Sequence, residues 1–118
     1  MDISSLEQFD ADRREGNDLV MKHAGLQLKR LYHIDSEAYK DGALPAKTKE
    51  LLGLVASLVL RCDDCITYHI LQCHKEGVTA EELEEAITIG YVVGGSIVVP
   101  HMRRAFARWE QIQEQTQV

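Results

Sequence analysis

Cysteine and proline are few in this chain, and basic residues are outnumbered by acidic ones. Three cysteines among 118 residues are too few, and odd in number, for a secreted domain stapled by disulfides. Proline occurs only at Pro45 and Pro100. No Asn-Gly or Asp-Gly pair stands between alternating apolar runs; Asp41-Gly42 comes nearest, and its flanks have helical periodicity, so β-hairpins are not expected. Thirteen basic residues against nineteen acidic ones leave a net charge of −6. That balance argues against a nucleic-acid backbone or an anionic membrane surface as the main partner. The longest strongly apolar stretch, residues 51–60, is interrupted by Gly53 and Ser57 and is too short to cross a bilayer. The first residues have neither the basic start nor the apolar run of a signal peptide. A cytoplasmic location is expected, and neither an internal repeat nor a low-complexity tract is present.

What remains suits one globular unit. With 45% hydrophobic and 27% charged residues, the chain can build a packed core, and residues 1–118 are expected to form a single all-α domain of about six helices. A domain of this size buries a modest share of its surface, which favours self-association.

Ser4 and Glu7 have the spacing of a capping box and open a first helix. A second is expected after Asn17 or Asp18, with Val20, Ala24, Leu28 and Leu31 on one stripe, followed by a turn-rich piece over residues 33–42. Pro45 suits a first helical position. The helix after it, about residues 46–60, is apolar on nearly every side, as in a helix buried in a core or against another subunit. A further helix starts near residues 61–64 and stops at Gly77. Thr79 and Glu82 form the clearest capping box, with Val78 and Leu83 placed for a hydrophobic staple; that helix ends near Gly94-Gly95. The last helix carries Val98, Met102, Ala105, Phe106, Trp109 and Ile112 on one stripe.

Chemistry concentrates in Cys62-Asp63-Asp64-Cys65-Ile66-Thr67-Tyr68-His69. Cysteines three apart at a helix start have α-carbons about 5 Å apart, within disulfide range, and the free N–H groups of a first turn favour a thiolate. His69, four residues past Cys65, shares its helical face. Asp63 and Asp64 work against a thiolate and Arg61 partly offsets them, so a reducing pair is expected. If the preceding helix folds back as an antiparallel hairpin, Glu50 comes level with His69 to within about one turn, where a carboxylate orients an imidazole and holds a proton.

Blander roles fit the other candidates. Cys62, Cys65, His69 and Cys73 or His74 form a tempting zinc set, but one helix spreads Cys62 and Cys73 over about 16 Å, too far to close around one ion. No metal and no cofactor is expected. Cys73 reads as a small core residue, His23, His33 and His74 as ordinary polar groups, and His101 more readily as an ordinary residue than as part of a site. The acidic run Glu81, Glu82, Glu84 and Glu85 suits a helix N-terminus without a ligand.

Gly42-Ala43-Leu44-Pro45-Ala46-Lys47-Thr48-Lys49-Glu50-Leu51, then Cys62-x-x-Cys65-x-x-x-His69, then Gly77-Val78-Thr79-x-Glu81-Glu82 together resemble the carboxymuconolactone decarboxylase/AhpD-like superfamily over about residues 35–108. The cysteine pair is similar to that of its alkylhydroperoxidase D-like branch. The resemblance implies an AhpD-like helical bundle with the CxxC at the start of a central helix, assembled as trimers or hexamers. It implies a thiol-dependent peroxidase or disulfide oxidoreductase of peroxiredoxin type, taking a hydroperoxide and a lipoyl-type or thioredoxin-like dithiol donor. By position, Cys62 and Cys65 match the redox pair and His69 and Glu50 the proton relay. One departure is Asp64, which stands where the family's peroxidase has a histidine before its second cysteine. On this reading Cys65 attacks the peroxide, Cys62 resolves it, and the donor exchanges at Cys62, taken as the more exposed sulfur. A decarboxylase-type lyase ranks lower, because few basic residues near the motif could hold a di-acid. A non-enzymatic redox-sensing module is the third reading.

Overall fold

Local stop and start signals set most helix boundaries in the computed structural model, which describes residues 1–116; the last two residues of the expected 1–118 domain lie outside it. Among the described residues there are six α-helices and no strand: α1 (Leu6–His23), α2 (Leu26–Ala38), α3 (Ala46–Val59), α4 (Asp63–Lys75), α5 (Ala80–Gly94) and α6 (Val99–Thr116), with a single 3-10 turn, Ser96–Val98, leading into α6.

The central hairpin is made by α3 and α4. Cys62 N–H donates to Ser57 O at 3.1 Å and Arg61 N–H to Leu58 O at 3.0 Å, while Arg61 adopts φ 58°. This is a Schellman stop with a non-glycine residue in the left-handed position, and it reverses the chain within three residues. The same pair of bonds closes α4: Val78 N–H to Cys73 O and Gly77 N–H to His74 O, with Gly77 at φ 80°, where glycine carries no Cβ penalty. α5 then opens on the expected reciprocal box, Glu82 N–H to Thr79 Oγ1 at 3.1 Å and Thr79 N–H to Glu82 Oε1 at 2.9 Å. The staple residues Val78 and Leu83 are both buried.

α3 packs on α4 and α5, and α6 closes on α4, around a core of Leu54, Leu58, Ile66, Ile70, Leu83, Ile87, Val98, Ala105, Trp109 and Ile112. Phe106, expected on the buried stripe of α6, is exposed: the 4-3-4-3 run 98, 102, 105, 109, 112 faces inward, and 106 is rotated about 100° from 105. α3 is buried only on its inner side; Leu52 and Leu60 are exposed.

The N-terminal third departs most from expectation. Ser5, not Ser4, caps α1, accepting from Gln8 N–H at 3.1 Å. α1 runs unbroken through Gly16 and Asn17 and ends at an extended Ala24, because one interior glycine costs about 1 kcal/mol and does not by itself end a helix. Val20 therefore lies on α1 and Leu28 and Leu31 on α2. The segment expected to be turn-rich is helical to Ala38 and irregular only from Tyr39 to Pro45. α2 buries none of its residues. The radius of gyration of 14.9 Å exceeds the roughly 13.5 Å of a compact chain of this length, as an outlying helix requires.

Candidate active site

Cys62 is the N-cap of α4, its Sγ accepting from Cys65 N–H at 3.3 Å, so the helix start aims a backbone donor at sulfur. The two sulfurs are joined in a disulfide, with α-carbons 5.3 Å apart. One expectation is reversed. Cys65 is the exposed residue and Cys62 is half-buried, because a capping side chain folds back over its own first turn. Cys65 opens onto a cavity of about 550 Å³ that it lines with His69, Tyr39, Tyr68, Phe9 and Arg108.

One turn on, the ring of His69 is buried, and its Nδ1 lies 2.8 Å from Oε2 of Glu50, itself buried on α3. The α3–α4 hairpin thus delivers the level match expected from the sequence. Against an ionised carboxylate Nδ1 carries the proton, leaving Nε2 as the accepting nitrogen. Tyr39 presents its hydroxyl to that nitrogen at 3.5 Å, with ring centroids 5.3 Å apart. Tyr39 is held by the loop it begins: Asp41 accepts from Ala46 N–H at 2.6 Å and Lys49 Nζ donates to Lys40 O at 2.7 Å. Burial and the nearby Glu50 carboxylate raise the Tyr39 hydroxyl above the usual phenol range. Burial also raises Tyr68, the Arg13 guanidinium partly opposing it from 4.2 Å above the ring.

Sequence reasoning missed Tyr39, Tyr68, Arg13 and Arg108, all of which line the cavity. They lie 23 or more positions away from Cys62, Tyr68 excepted, and only folding gathers them. Tyr68, within the motif, could have been found from its place beside His69. Arg108 is buried, donating to Thr67 Oγ1 at 3.2 Å and to Ser4 O at 2.7 Å. Its burial lowers it from the usual guanidinium range, partly offset by Asp64 and Asp63.

The acidic neighbours of the cysteines are not equivalent. Asp63 is engaged by α6, Oδ1 by His101 Nδ1 at 2.8 Å and Oδ2 by Arg104 Nε at 2.9 Å, whereas Asp64 is exposed beside the cavity. The remaining candidates lie elsewhere: Cys73 is a buried free thiol, its ionisation pushed up to about 12 by burial, His74 packs edge-on to Trp109, and His23 and His33 are exposed. Among the described residues no three His, Cys, Asp or Glu side chains are grouped as a metal would need, and no helix is long and apolar enough to cross a membrane.

Residues 28–108 match the model of the carboxymuconolactone decarboxylase family. An uncharacterised protein of Cupriavidus necator is 32% identical over 75 residues, 64% of this chain and 66% of its own length. An uncharacterised protein of the cox locus of Paracoccus denitrificans is 31% identical over 74 residues, 63% of this chain and 67% of its own length. The matches thus span about two thirds of those relatives. A crystal structure of a Thermotoga maritima protein superimposes with a TM-score of 0.92 at 50% identity, covering 94% of this chain and 97% of that one. A second crystal structure of that protein, 51% identical with a TM-score of 0.89 and covering 93% of each chain, names it a carboxymuconolactone decarboxylase family protein with a suggested involvement in antioxidative response. A family protein of Legionella pneumophila, solved in its apo form, is 26% identical with a TM-score of 0.81, over 89% of this chain and 94% of that one.

Proposed function

This chain belongs to the carboxymuconolactone decarboxylase family, and we propose that within it the protein is a thiol-dependent peroxidase, reducing hydroperoxides at the Cys62–Cys65 pair with electrons from an external dithiol. The observation that carries this reading is the buried Glu50–His69 couple at 2.8 Å one helical turn from a disulfide whose Cys65 opens on a cavity. A buried carboxylate–imidazole pair costs desolvation unless both partners are held; its place beside a sulfur suits proton transfer.

In the reduced enzyme His69 Nε2 takes the proton of the Cys65 thiol while Glu50 holds the imidazolium. The Cys65 thiolate attacks the outer peroxide oxygen; the O–O bond breaks, the alkoxide leaves and takes a proton as the alcohol, and Cys65 becomes a sulfenic acid. The Cys62 thiol displaces water from it and closes the disulfide. A lipoyl-type or thioredoxin-like dithiol then attacks Cys65, the exposed partner, and the Cys62 sulfur leaves as a thiolate facing the Cys65 N–H. The donor's second thiol completes the exchange, so the donor becomes a disulfide and both cysteines are thiols again. Such a cycle suits a reducing, cytoplasmic compartment. The similar Thermotoga maritima protein, with its suggested antioxidative involvement, supports the direction of the chemistry.

Homo-oligomer formation belongs to the same proposal. Leu52, Val55, Val59 and Leu60 of the α3 side line an apolar groove with Ile89 and Val93 of α5, a surface larger than scattered exposed residues would give. Sedimentation that shows a monomer at every concentration would remove this part.

The activity test is consumption of an alkyl hydroperoxide with a dithiol donor, before and after alkylation of the reduced protein. Loss on alkylation and in the Cys62→Ser variant is expected. A Cys62→Ser protein with full turnover would overturn the scheme, and lactone decarboxylation that survives alkylation would establish the lyase instead.

A further inference from the structure

Asp63 stands at the first position of α4, directly after Cys62. A carboxylate there opposes the favourable field of the helix start and raises the cost of ionising a neighbouring thiol. In this fold the carboxylate is held by another helix. Both of its oxygens are taken by α6, Oδ1 by His101 Nδ1 at 2.8 Å and Oδ2 by Arg104 Nε at 2.9 Å, from residues 38 and 41 positions away. Arg104 Nη2 lies 3.2 Å from the same His101 nitrogen; with that nitrogen donating to Asp63 the two face each other as donors, and the carboxylate is what joins the three groups into one cluster. The His101 side chain is 17% exposed and those of Arg104 and Asp63 are 38% and 44% exposed. A cluster so placed is partly screened, and a change of several-fold, not of orders of magnitude, is the scale to expect.

We infer that His101 and Arg104 are positioning residues for the redox pair: they clamp Asp63 against α6 and balance its charge, so that the thiolates of the reduced pair form more readily than the acidic sequence between the cysteines implies. The clamp rests on the redox reading of the pair but not on the peroxidase reading. Other charges near the same sulfurs are Asp64, the Glu50–His69 couple, Asp12 and Arg13 of α1, Asp35 of α2 and Arg108 around the cavity, and Arg61 before Cys62. Arg104 differs from these in holding the carboxylate nearest to Cys62 in sequence.

The test is the equilibrium of the full-length protein with reduced and oxidised glutathione, in which two glutathiones become one disulfide as the Cys62–Cys65 bond opens, measured at pH 6 and at pH 8.5. Arg104→Gln should shift the balance toward the protein disulfide about three- to tenfold at pH 8.5, where thiolates are populated, and little at pH 6. Asp63→Asn in the Arg104→Gln background should restore the wild-type balance. Arg104→Lys, which keeps the charge and loses the planar fork, should fall between. If Arg104→Gln does not fold, His101→Gln takes its place in the same cycle.

A merely structural contact would give equal shifts at the two pH values and no rescue by Asp63→Asn, and either result overturns the clamp. So does an unchanged equilibrium in Arg104→Gln. A wild-type pair that does not exchange with glutathione at all would instead remove the redox reading beneath it.

Discussion

Gly53 of α3 lies against the ring of His69 so closely that a Cβ at that position would stand 2.6 Å from Cε1 and 2.9 Å from each ring nitrogen. The glycine is the hole into which the imidazole fits. Its missing side chain lets α3 approach α4 closely enough for Glu50, three residues earlier on α3, to reach Nδ1 at 2.8 Å.

Gly53→Ala is therefore expected to displace the imidazole, although alanine is the better helix former. Overpacking of this kind costs roughly 1–3 kcal/mol, and hydroperoxide turnover should fall by about tenfold or more as the Glu50 contact loosens. A thermal melt together with kcat/KM checks both. A variant as stable and as active as the parent would show that the ring is free to move.

His69→Gln is expected to lower peroxide turnover about 10²- to 10⁴-fold, the usual contribution of a positioned acid–base group. Glu50→Gln keeps the shape and a hydrogen-bonding oxygen while losing the charge that holds the imidazolium, so its loss should be smaller. Tyr39→Phe removes only the hydroxyl that faces Nε2 at 3.5 Å, a contact at the outer limit of a hydrogen bond, and should cost less than either. Turnover of the three variants at one pH gives the order; a His69→Gln enzyme within twofold of wild type would sink the relay.

Arg108→Met keeps the buried stem but removes the guanidinium donor to Thr67 Oγ1 and one of the two donors to the Ser4 carbonyl, the other being Gln111 Nε2. Losing hydrogen bonds to a charged, buried partner should destabilise the protein by on the order of 2–3 kcal/mol, and α1 should be the first helix to loosen. Denaturant unfolding and proteolysis near the N-terminus report this. Wild-type stability with an intact N-terminus would count against Arg108 as the tie.

Alkaline pH should destabilise the fold. The Cys73 thiol is pushed up to about 12 by burial, and Tyr39 and Tyr68 are raised as well. In the unfolded chain the thiol ionises near its ordinary value, so above about pH 9 the unfolded state binds fewer protons than the folded one and stability falls with rising pH. Below about pH 9 that contribution is fully present. Urea midpoints from pH 7 to 11 should decline across this window, less steeply in Cys73→Ala; a flat profile would contradict the burial of these groups.

The sequence alone determined most of the central part of this molecule. The capping box of Thr79 and Glu82, the stop at Gly77 and the cysteines three apart at a helix start are set by residues within one or two turns of each other. Such signals are local, so they survive into the fold. The level match of Glu50 with His69 was legible too, since a short reversal between two helices leaves only one height for each residue. The tertiary structure decided the rest, because it depends on what packs against what. Gly16 and Asn17 resemble a helix end, yet α1 continues through them. Cys65, not Cys62, meets solvent because the capping sulfur turns inward. Nothing in the sequence around Asp63 announces that His101 and Arg104 will occupy its oxygens, since a contact across some forty residues exists only once α6 has closed on α4.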